Sequence, residues 1–324
     1  MIRIVARLRP FSHLPKTRCL IPGTGQIVEA YPNRILLKNL ETTDTKEILL
    51  NIQGPLNHFT VIQDLEKGYV MVFSEKYQVY ILPNGQIHYR TPRNFPLIKN
   101  REILSFGMHK KQDWELIRKR LDFREIFPIW FRLGALLDLS PRKGVNQGMY
   151  TLLAECKEAI AAHQPEYILH AFKKLFLAGF GGLFVPRLID EDYHGILPEP
   201  SSLSKGSPLY LLTEGADLIR SLFLTLSGNK IFVLPNLPPD LFAGRLTGFA
   251  CQPYGEIDLE WSKKTIRRLV FRATCEGEIT FCFSSSIRSY RLKVIPQKHG
   301  ETRTTRESLE IKLGKTYLLD QFQK

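Results

Sequence analysis

The densest group of ionisable side chains in this 324-residue chain lies in residues 186–195. Three consecutive acids begin at Asp190, with Arg187 before them and Tyr193 and His194 after them. Two carboxyl groups ~6.5–9.5 Å apart can hydrolyse a glycosidic bond with inversion, and clustered carboxylates can also bind a hard cation. A solvated loop between helices would have the same composition, and the usual exposure of acids favours that interpretation. The sequence alone leaves all three open.

The candidates for ligand binding are the cationic and aromatic residues Arg187, Tyr193, His194 and Tyr210. If the protein is an active hydrolase, its acid/base pair must come from a small set of carboxylates. These candidates are Asp190, Asp192, Glu199, Glu214 and Asp217.

Neither a metal nor a cofactor is expected. The 5 cysteines are widely spaced, no Cys-x-x-Cys pair occurs, and no histidine completes a zinc-finger spacing. We therefore expect free thiols packed as small hydrophobic groups. The segment 23–25, Gly-Thr-Gly, lacks the third glycine and the following helix of a dinucleotide-binding loop.

Residues 1–105 show the pattern of a β-domain. Short β-branched or aromatic runs alternate with turn signals, which is typical of a sandwich-like arrangement. The Asn84-Gly85 pair predicts a hairpin between residues 77–82 and 86–90, with positive φ angles supplied by both turn residues.

Residues 106–229 have helical spacing instead. Apolar positions predict two helices in residues 110–137, with a break around 122–128 and Pro128 at a first turn or a kink, and further helices at 147–162, 166–178 and 209–226. Trp114 and Trp130 lie on the apolar stripes of their helices, so core packing is favoured over sugar stacking.

Residues 230–324 are predicted to form an antiparallel β-domain. In residues 255–261 the apolar Ile257, Leu259 and Trp261 alternate with acids, as in a half-buried strand. We expect the acids to face solvent or a neighbouring basic strand. The fold class is therefore α+β, with a β-domain on each side of a short helical region.

The segment 231–261 resembles the start of the C-terminal β-domain in the inverting α-L-fucosidase family of glycoside hydrolases. That family has a Leu-Leu-Pro-Ala-Leu-Pro turn, a Gly-x-Val-x-Gly-Leu segment and a Glu-Val-Asp-x-x-Trp strand. The matching residues here are Leu234, Pro235, Leu237, Pro238, Gly244, Leu246, Gly248, Glu256, Ile257, Asp258 and Trp261. The resemblance is specific only over residues 213–261. It implies a β–helical–β order of domains and a glycan-related function.

Two departures from the family bear on activity. The family's toroid of paired helices needs about a dozen helices and ~190 residues, whereas residues 106–227 hold about five helices. The family's catalytic base lies in an Asp-Gly-Asn-Phe-Gly segment, which falls on residues 210–214 here. Its base position is Tyr210 and its asparagine position is Leu212. Neither side chain deprotonates water at neutral pH.

The chain carries a formal net charge of +13, and residues 263–324 contain 14 Lys/Arg against 6 Asp/Glu. These basic residues lie on strand-like alternations without a nucleic-acid motif, so nucleic acid is not an expected partner. The N-terminus has arginines within its apolar stretch and no run is long enough to span a membrane, which favours a cytoplasmic protein.

The sequence therefore predicts a non-catalytic, glycoside-hydrolase-like protein that binds carbohydrate or acts as a scaffold, with a carbohydrate or a protein as its partner. The first alternative is an active glycan hydrolase with a rearranged carboxylate pair. The second is a basic adaptor for nucleic acid or an acidic partner. The oligomeric state, the sugar and the enzymatic activity remain open.

Overall fold

The structure is a computed structural model. It describes residues 2–5, 7–42, 44–92, 100–108, 110–137, 148–192, 194–196, 206–297, 299–305 and 307–324.

The N-terminal part forms two antiparallel sheets. Their strands are β1 (Phe11–Ser12), β2 (Thr17–Leu20), β3 (Gln26–Ala30), β4 (Arg34–Asn39), β5 (Thr45–Leu49), β6 (Thr60–Asp64), β7 (Tyr69–Ser74), β8 (Tyr77–Ile81) and β9 (Ile87–His88). One sheet has the order β2-β3-β4-β5 and the other the order β1-β6-β7-β8-β9. Val28, Val61 and Val79 are fully buried between them, because branched side chains pack well on pleated surfaces. The predicted N-terminal β-region is confirmed.

The turn between β8 and β9 differs in detail from its prediction. The hairpin forms, and the amide of Leu82 donates to the carbonyl of Gln86 at 3.0 Å. Only Gly85 has a positive φ, at 74°, since Asn84 is not among the residues with positive φ. Asn84 acts through its side chain instead, and its Oδ1 accepts from the amide of Gln86 at 3.0 Å, as in an Asx turn.

The helical part follows the short strand β10 (Ile103–Ser105). It contains α1 (Trp114–Arg120), α2 (Phe123–Ala135), α3 (Met149–Ala161) and α4 (Pro165–Gly179), then β11 (Phe180–Gly181), β12 (Val185–Pro186) and α5 (Leu209–Phe223). Asp113 and Asp122 cap α1 and α2 through their carboxylates. Between these helices Leu121 adopts a left-handed conformation with φ 50°. The helical conformation is interrupted at this residue. Pro128 lies inside α2 rather than at its start.

The predicted helix 209–226 was too long at its end. Helix α5 ends at Phe223, and the next residues form β13 (Leu224–Ser227), which pairs antiparallel with β14 (Lys230–Val233). Gly228, with φ 60°, lies in the turn between them. The Gly-Asn pair at 228–229 is thus a hairpin turn and not a helix stop. The sequence did not show this, because the spacing of Leu224 and Leu226 also fits a helix.

The C-terminal part is mainly antiparallel sheet. Its strands are β15 (Gly244–Cys251), β16 (Gly255–Ser262), β17 (Thr265–Ala273), β18 (Gly277–Cys282), β19 (Ser289–Ile295), β20 (Glu301–Thr304), β21 (Leu309–Ile311) and β22 (Thr316–Gln323). The large sheet has the order β10-β15-β16-β17-β22-β19-β20. A smaller sheet, β13-β14-β18-β21, contains one parallel pair, β14 with β18. The α+β fold class with two terminal β-regions is confirmed.

Strand β16 has the predicted two faces. Ile257, Leu259 and Trp261 are buried, with at most 1% of their surface exposed. On the other face Asp258 accepts hydrogen bonds from Arg272 on β17 at 2.6 and 2.8 Å. The expectation that these acids face solvent or a basic strand is therefore confirmed for Asp258, whose burial depends on that arginine.

Trp261 joins the C-terminal sheet to the helical part. Its indole Nε1 donates to the carbonyl of Leu241 at 2.9 Å. Its rings lie 5.0 Å from Phe223 at the end of α5 and 6.1 Å from Phe106, between centroids. A Cβ atom at Gly244 would lie 2.5 Å from the tryptophan, so only glycine fits there.

One hydrophobic cluster runs through all three parts of the chain, from Val28 and Val61 through Trp130 and Phe172 to Leu269. Strand β10, which falls within the predicted N-terminal domain 1–105, pairs with β15 of the C-terminal sheet. The proposed boundaries at residues 105 and 229 stay predictions. Within the described residues, no helix is long and apolar enough to cross a membrane.

Because Trp261 is buried against two other rings, Trp261→Ala should lower the free energy of unfolding by ~3–5 kcal/mol. Chemical denaturation followed by circular dichroism measures this loss. Phe242→Ala is the matched control, since Phe242 is 48% exposed near the same turn and should cost well under half as much. A small effect for Trp261→Ala would contradict its role in joining the two parts.

Candidate functional site

The acidic segment predicted as a candidate site lies at the C-terminal end of helix α4. Arg187, only 6% exposed, follows β12. Its Nε donates to the carbonyl of Ala178 at 2.9 Å, and its Nη2 donates to the carbonyl of Leu177 at 3.1 Å and to Oδ2 of Asp192 at 2.8 Å. The guanidinium thus satisfies carbonyls that the helix end leaves without partners.

Two further arginines bind the same acids from other parts of the chain. Arg18 of β2 lies 2.7 Å from Glu191, and Arg118 of α1 lies 3.1 Å from Asp192. Hydrogen bonds from Arg187 in particular lower the pKa of Asp192 to about 2. The segment therefore ties β2, α1 and the end of α4 together. A carboxylate held ionised in this way is poorly suited to donate a proton at neutral pH.

Asp190 is the least accessible acid of this segment. Its side chain is 9% exposed, and both of its oxygens are buried without a hydrogen-bond partner among the described residues. The nearest cation is Nη2 of Arg187, at 4.0 Å. Nε2 of His194 lies 3.7 Å from Asp192. The structure thus brings together Arg187, Asp190, Asp192 and His194, while Tyr193 and Glu199 lie outside the described residues.

The remaining candidates lie on α5. Tyr210, at the position of the family's base, packs against the hydrophobic core, and Glu214 follows one turn later. Asp217 is 63% exposed and forms a salt bridge to Arg220, which also pairs with the buried Glu102. Asp217 thus belongs to a different ion-pair network from Asp192.

Three of the five cysteines are poor nucleophiles. Cys19, Cys156 and Cys251 are buried. Burial raises the pKa of Cys251 to about 12 and raises that of Cys19 and of Cys156 well above its ordinary value. These thiols stay protonated at neutral pH and pack as small hydrophobic groups.

A better candidate site is a cavity of about 250 Å³ between the helical part and the C-terminal sheets, which we call the junction cavity. Four segments enclose it: the α3–α4 connection, the turn after β14, the β16–β17 hairpin and the β18–β19 loop. Its lining residues are His163, Pro165, Val233, Leu234, Pro235, Asn236, Leu237, Lys264, Thr265, Ile266, Ser284, Ser286 and Ile287.

The polar groups of the junction cavity centre on Asn236, which is 8% exposed. Its Oδ1 lies 2.6 Å from Nδ1 of His163, so the imidazole donates to the amide oxygen. The hydroxyls of Ser284 and Ser286 lie 3.1 Å apart, and Lys264 lines the exposed rim. The cavity therefore offers amide, imidazole, hydroxyl and ammonium groups around one opening.

Three of the lining residues have left-handed backbones. These are His163 with φ 51°, Leu234 with φ 56° and Lys264 with φ 59°. Such conformations are costly for residues other than glycine and tend to collect at functional sites. Packing holds at least one of them, since the amide of Leu234 donates to the carbonyl of Phe223 at 2.7 Å. The other two lie at ordinary left-handed positions, since Lys264 is in the two-residue turn between β16 and β17 and His163 follows the C-cap of α3.

Sequence reasoning missed this cavity. The Leu-Pro-Asn-Leu-Pro turn at 234–238 was used only to recognise a family resemblance, although Asn236 stands at its centre. A polar residue between prolines was the one available signal. His163 and Ser286 come from distant parts of the chain and reach Asn236 only through the fold.

The lining residues of the junction cavity bear hydrogen-bonding groups. None of its lining residues is an acid or a cysteine, so these residues offer no carboxyl pair for glycoside hydrolysis and no thiolate nucleophile. No group of three or more metal-ligating side chains occurs within the described part of the chain. The junction cavity can form hydrogen bonds with a polar ligand.

Comparison with known proteins does not assign the chain to a family. No protein-family model matches the chain, and no curated protein matches its sequence.

The arginine contacts of Asp192 predict a pH-dependent stability. Its pKa in the folded protein, about 2, lies below the ordinary 3.8, so its contribution is complete above pH ~4 and is lost as the pH falls toward 2. The shift sets an upper limit of ~2.5 kcal/mol. Because the side chain is 41% exposed, we expect Asp192→Asn to cost ~1 kcal/mol at pH 7.

Urea denaturation of the native protein and of Asp192→Asn between pH 7 and pH 2.5 measures this difference. The stability gap should narrow below pH ~4. Glu158→Gln, on the exposed face of α3, is the control and should leave stability nearly unchanged. An Asp192→Asn gap that is constant across the pH range would contradict the assigned role of the arginines.

Proposed function

We propose that the protein is a non-catalytic, glycoside-hydrolase-like protein that binds carbohydrate in the junction cavity. The observation that carries the proposal is the lining itself, which combines hydroxyl, amide, imidazole and ammonium groups without a carboxylate. Sugar hydroxyls both donate and accept hydrogen bonds, so they match this mixture. The volume of about 250 Å³ lies near the lower end of small-molecule sites, ~300 Å³, and suits one or two sugar rings.

The apolar walls of the cavity support the same ligand class. Val233, Ile266 and Ile287 are buried and line the cavity beside its polar groups. A sugar ring presents C–H faces as well as hydroxyls, and small-molecule sites commonly combine an apolar lining with a few polar groups. Binding in a defined cavity is thus better supported than a purely scaffolding role.

The absence of activity in this proposal rests on the placement of the candidate acids. Asp192 and Glu191 are paired with arginines, and Asp217 pairs with Arg220. The family's base position holds Tyr210, which offers a phenol where the family has a carboxylate.

A basic adaptor role has less support. On the C-terminal sheet, Arg272 is bound by Asp258 and Glu256, and Arg291 is bound by Asp320. Arginines neutralised in this way contribute less to a phosphate-binding surface. We therefore keep carbohydrate binding as the proposed function.

Ser286→Trp should fill the junction cavity and abolish sugar binding. Ser285 lies next to it in the sequence, is equally exposed and does not line the cavity, so Ser285→Trp is the matched control. Saturation-transfer NMR with a panel of neutral and acidic monosaccharides measures binding. The proposal predicts binding to the native protein and to Ser285→Trp only. If no member of the panel binds, or if Ser286→Trp binds as well as the native protein, the proposal is wrong.

The native protein should not hydrolyse aryl fucosides or related glycosides above the rate of an unfolded control. The reason is that no carboxylate lines the junction cavity, whereas inverting hydrolysis needs two. A chromogenic assay measures this rate. Hydrolysis that disappears in Asp190→Asn or Glu214→Gln would contradict the proposal and support an active hydrolase.

A further inference from the structure

The charge of the junction cavity narrows its ligand class. We infer that the cavity binds sugars that carry an anionic group, a carboxylate or a phosphate, in preference to neutral sugars. This inference rests on the proposed carbohydrate-binding function and specifies its ligand.

The first observation is an unbalanced positive charge. Lys264 lines the cavity, and it forms no salt bridge with any described residue. No acidic residue lines the cavity with it. A lysine without a carboxylate partner beside a ligand cavity attracts an anion.

The second observation is the start of helix α4. Pro165, its first residue, lines the cavity, and the preceding Gln164 makes no side-chain cap. The N-terminal end of a 15-residue helix carries partial positive charge. Its first residue is a proline without an amide hydrogen, and the amides of Tyr167 and Ile168 donate to the carbonyl of Gln164, so the helix contributes through this charge. Glu166 in the first turn is exposed and does not line the cavity. The helix end therefore adds to the positive potential that Lys264 creates.

The third observation is an amide donor without a partner among the described residues. Asn236 is 8% exposed, and its only hydrogen bond with those residues is the one between Oδ1 and His163. Its Nδ2 amide group is thus left to donate to a ligand, and a hydrogen bond to an acceptor of full negative charge is stronger than one to a neutral acceptor. Lys264 and Asn236 together supply two donors for one anionic group, while the hydroxyls of Ser284 and Ser286 suit the rest of a sugar.

Isothermal titration calorimetry at low salt tests the inference with matched sugars. Glucose, galactose and mannose are each compared with the corresponding uronate and 6-phosphate, and inorganic phosphate serves as the sugar-free anion. In at least one series the acidic sugar should bind about tenfold or more tightly than the neutral one. Lys264→Met should remove that preference.

Lys263→Met is the matched control. Lys263 is the neighbouring lysine of the same hairpin, is equally exposed and does not line the cavity, so this variant should keep the preference. Neutral sugars that bind as tightly as the acidic ones in every series would overturn the inference and leave the proposed function standing. Binding of no sugar, or equal binding of inorganic phosphate and sugar phosphates, would overturn the proposed function itself. A preference that survives Lys264→Met would also overturn the inference.

Discussion

The packing of Trp261 against Phe223 is the contact on which the rest of the structure depends. This contact joins the end of α5 to the C-terminal sheet. The indole of Trp261 also donates a hydrogen bond to the carbonyl of Leu241, in the segment that follows the proline-rich turn. The turn carries Asn236, and the β16–β17 hairpin begins just after Trp261 and carries Lys264. The junction cavity therefore exists because an aromatic contact brings these two segments against the α3–α4 connection.

Arginine pairing explains why the richest cluster of acids in the sequence is not the best site in the structure. Arg187 is anchored by the carbonyls at the end of α4 as well as by Asp192. Its hydrogen bond and charge keep Asp192 ionised, so this carboxyl is poorly suited to general acid catalysis. The same residues that indicated hydrolysis in the sequence thus hold together three parts of the chain.

The sequence predicted the fold well where local periodicity decides structure. The alternation in β16 and the helical stripes carrying Trp114 and Trp130 were confirmed, since each follows from which side chains must leave water. The predicted end of α5 was wrong because Leu224 and Leu226 fit both a helical stripe and an alternating strand. Only pairing with β14 decides between the two. The junction cavity could not be predicted, because His163, Asn236 and Ser286 share no local pattern.

The most direct measurement is a crystal structure of the protein with an acidic monosaccharide at saturating concentration. The account predicts one sugar in the junction cavity, with its anionic group near Lys264 and Asn236 and a hydroxyl near Ser286. A sugar bound only elsewhere, for example beside Arg187 and Asp190, or a junction cavity without sugar at that concentration, would contradict it.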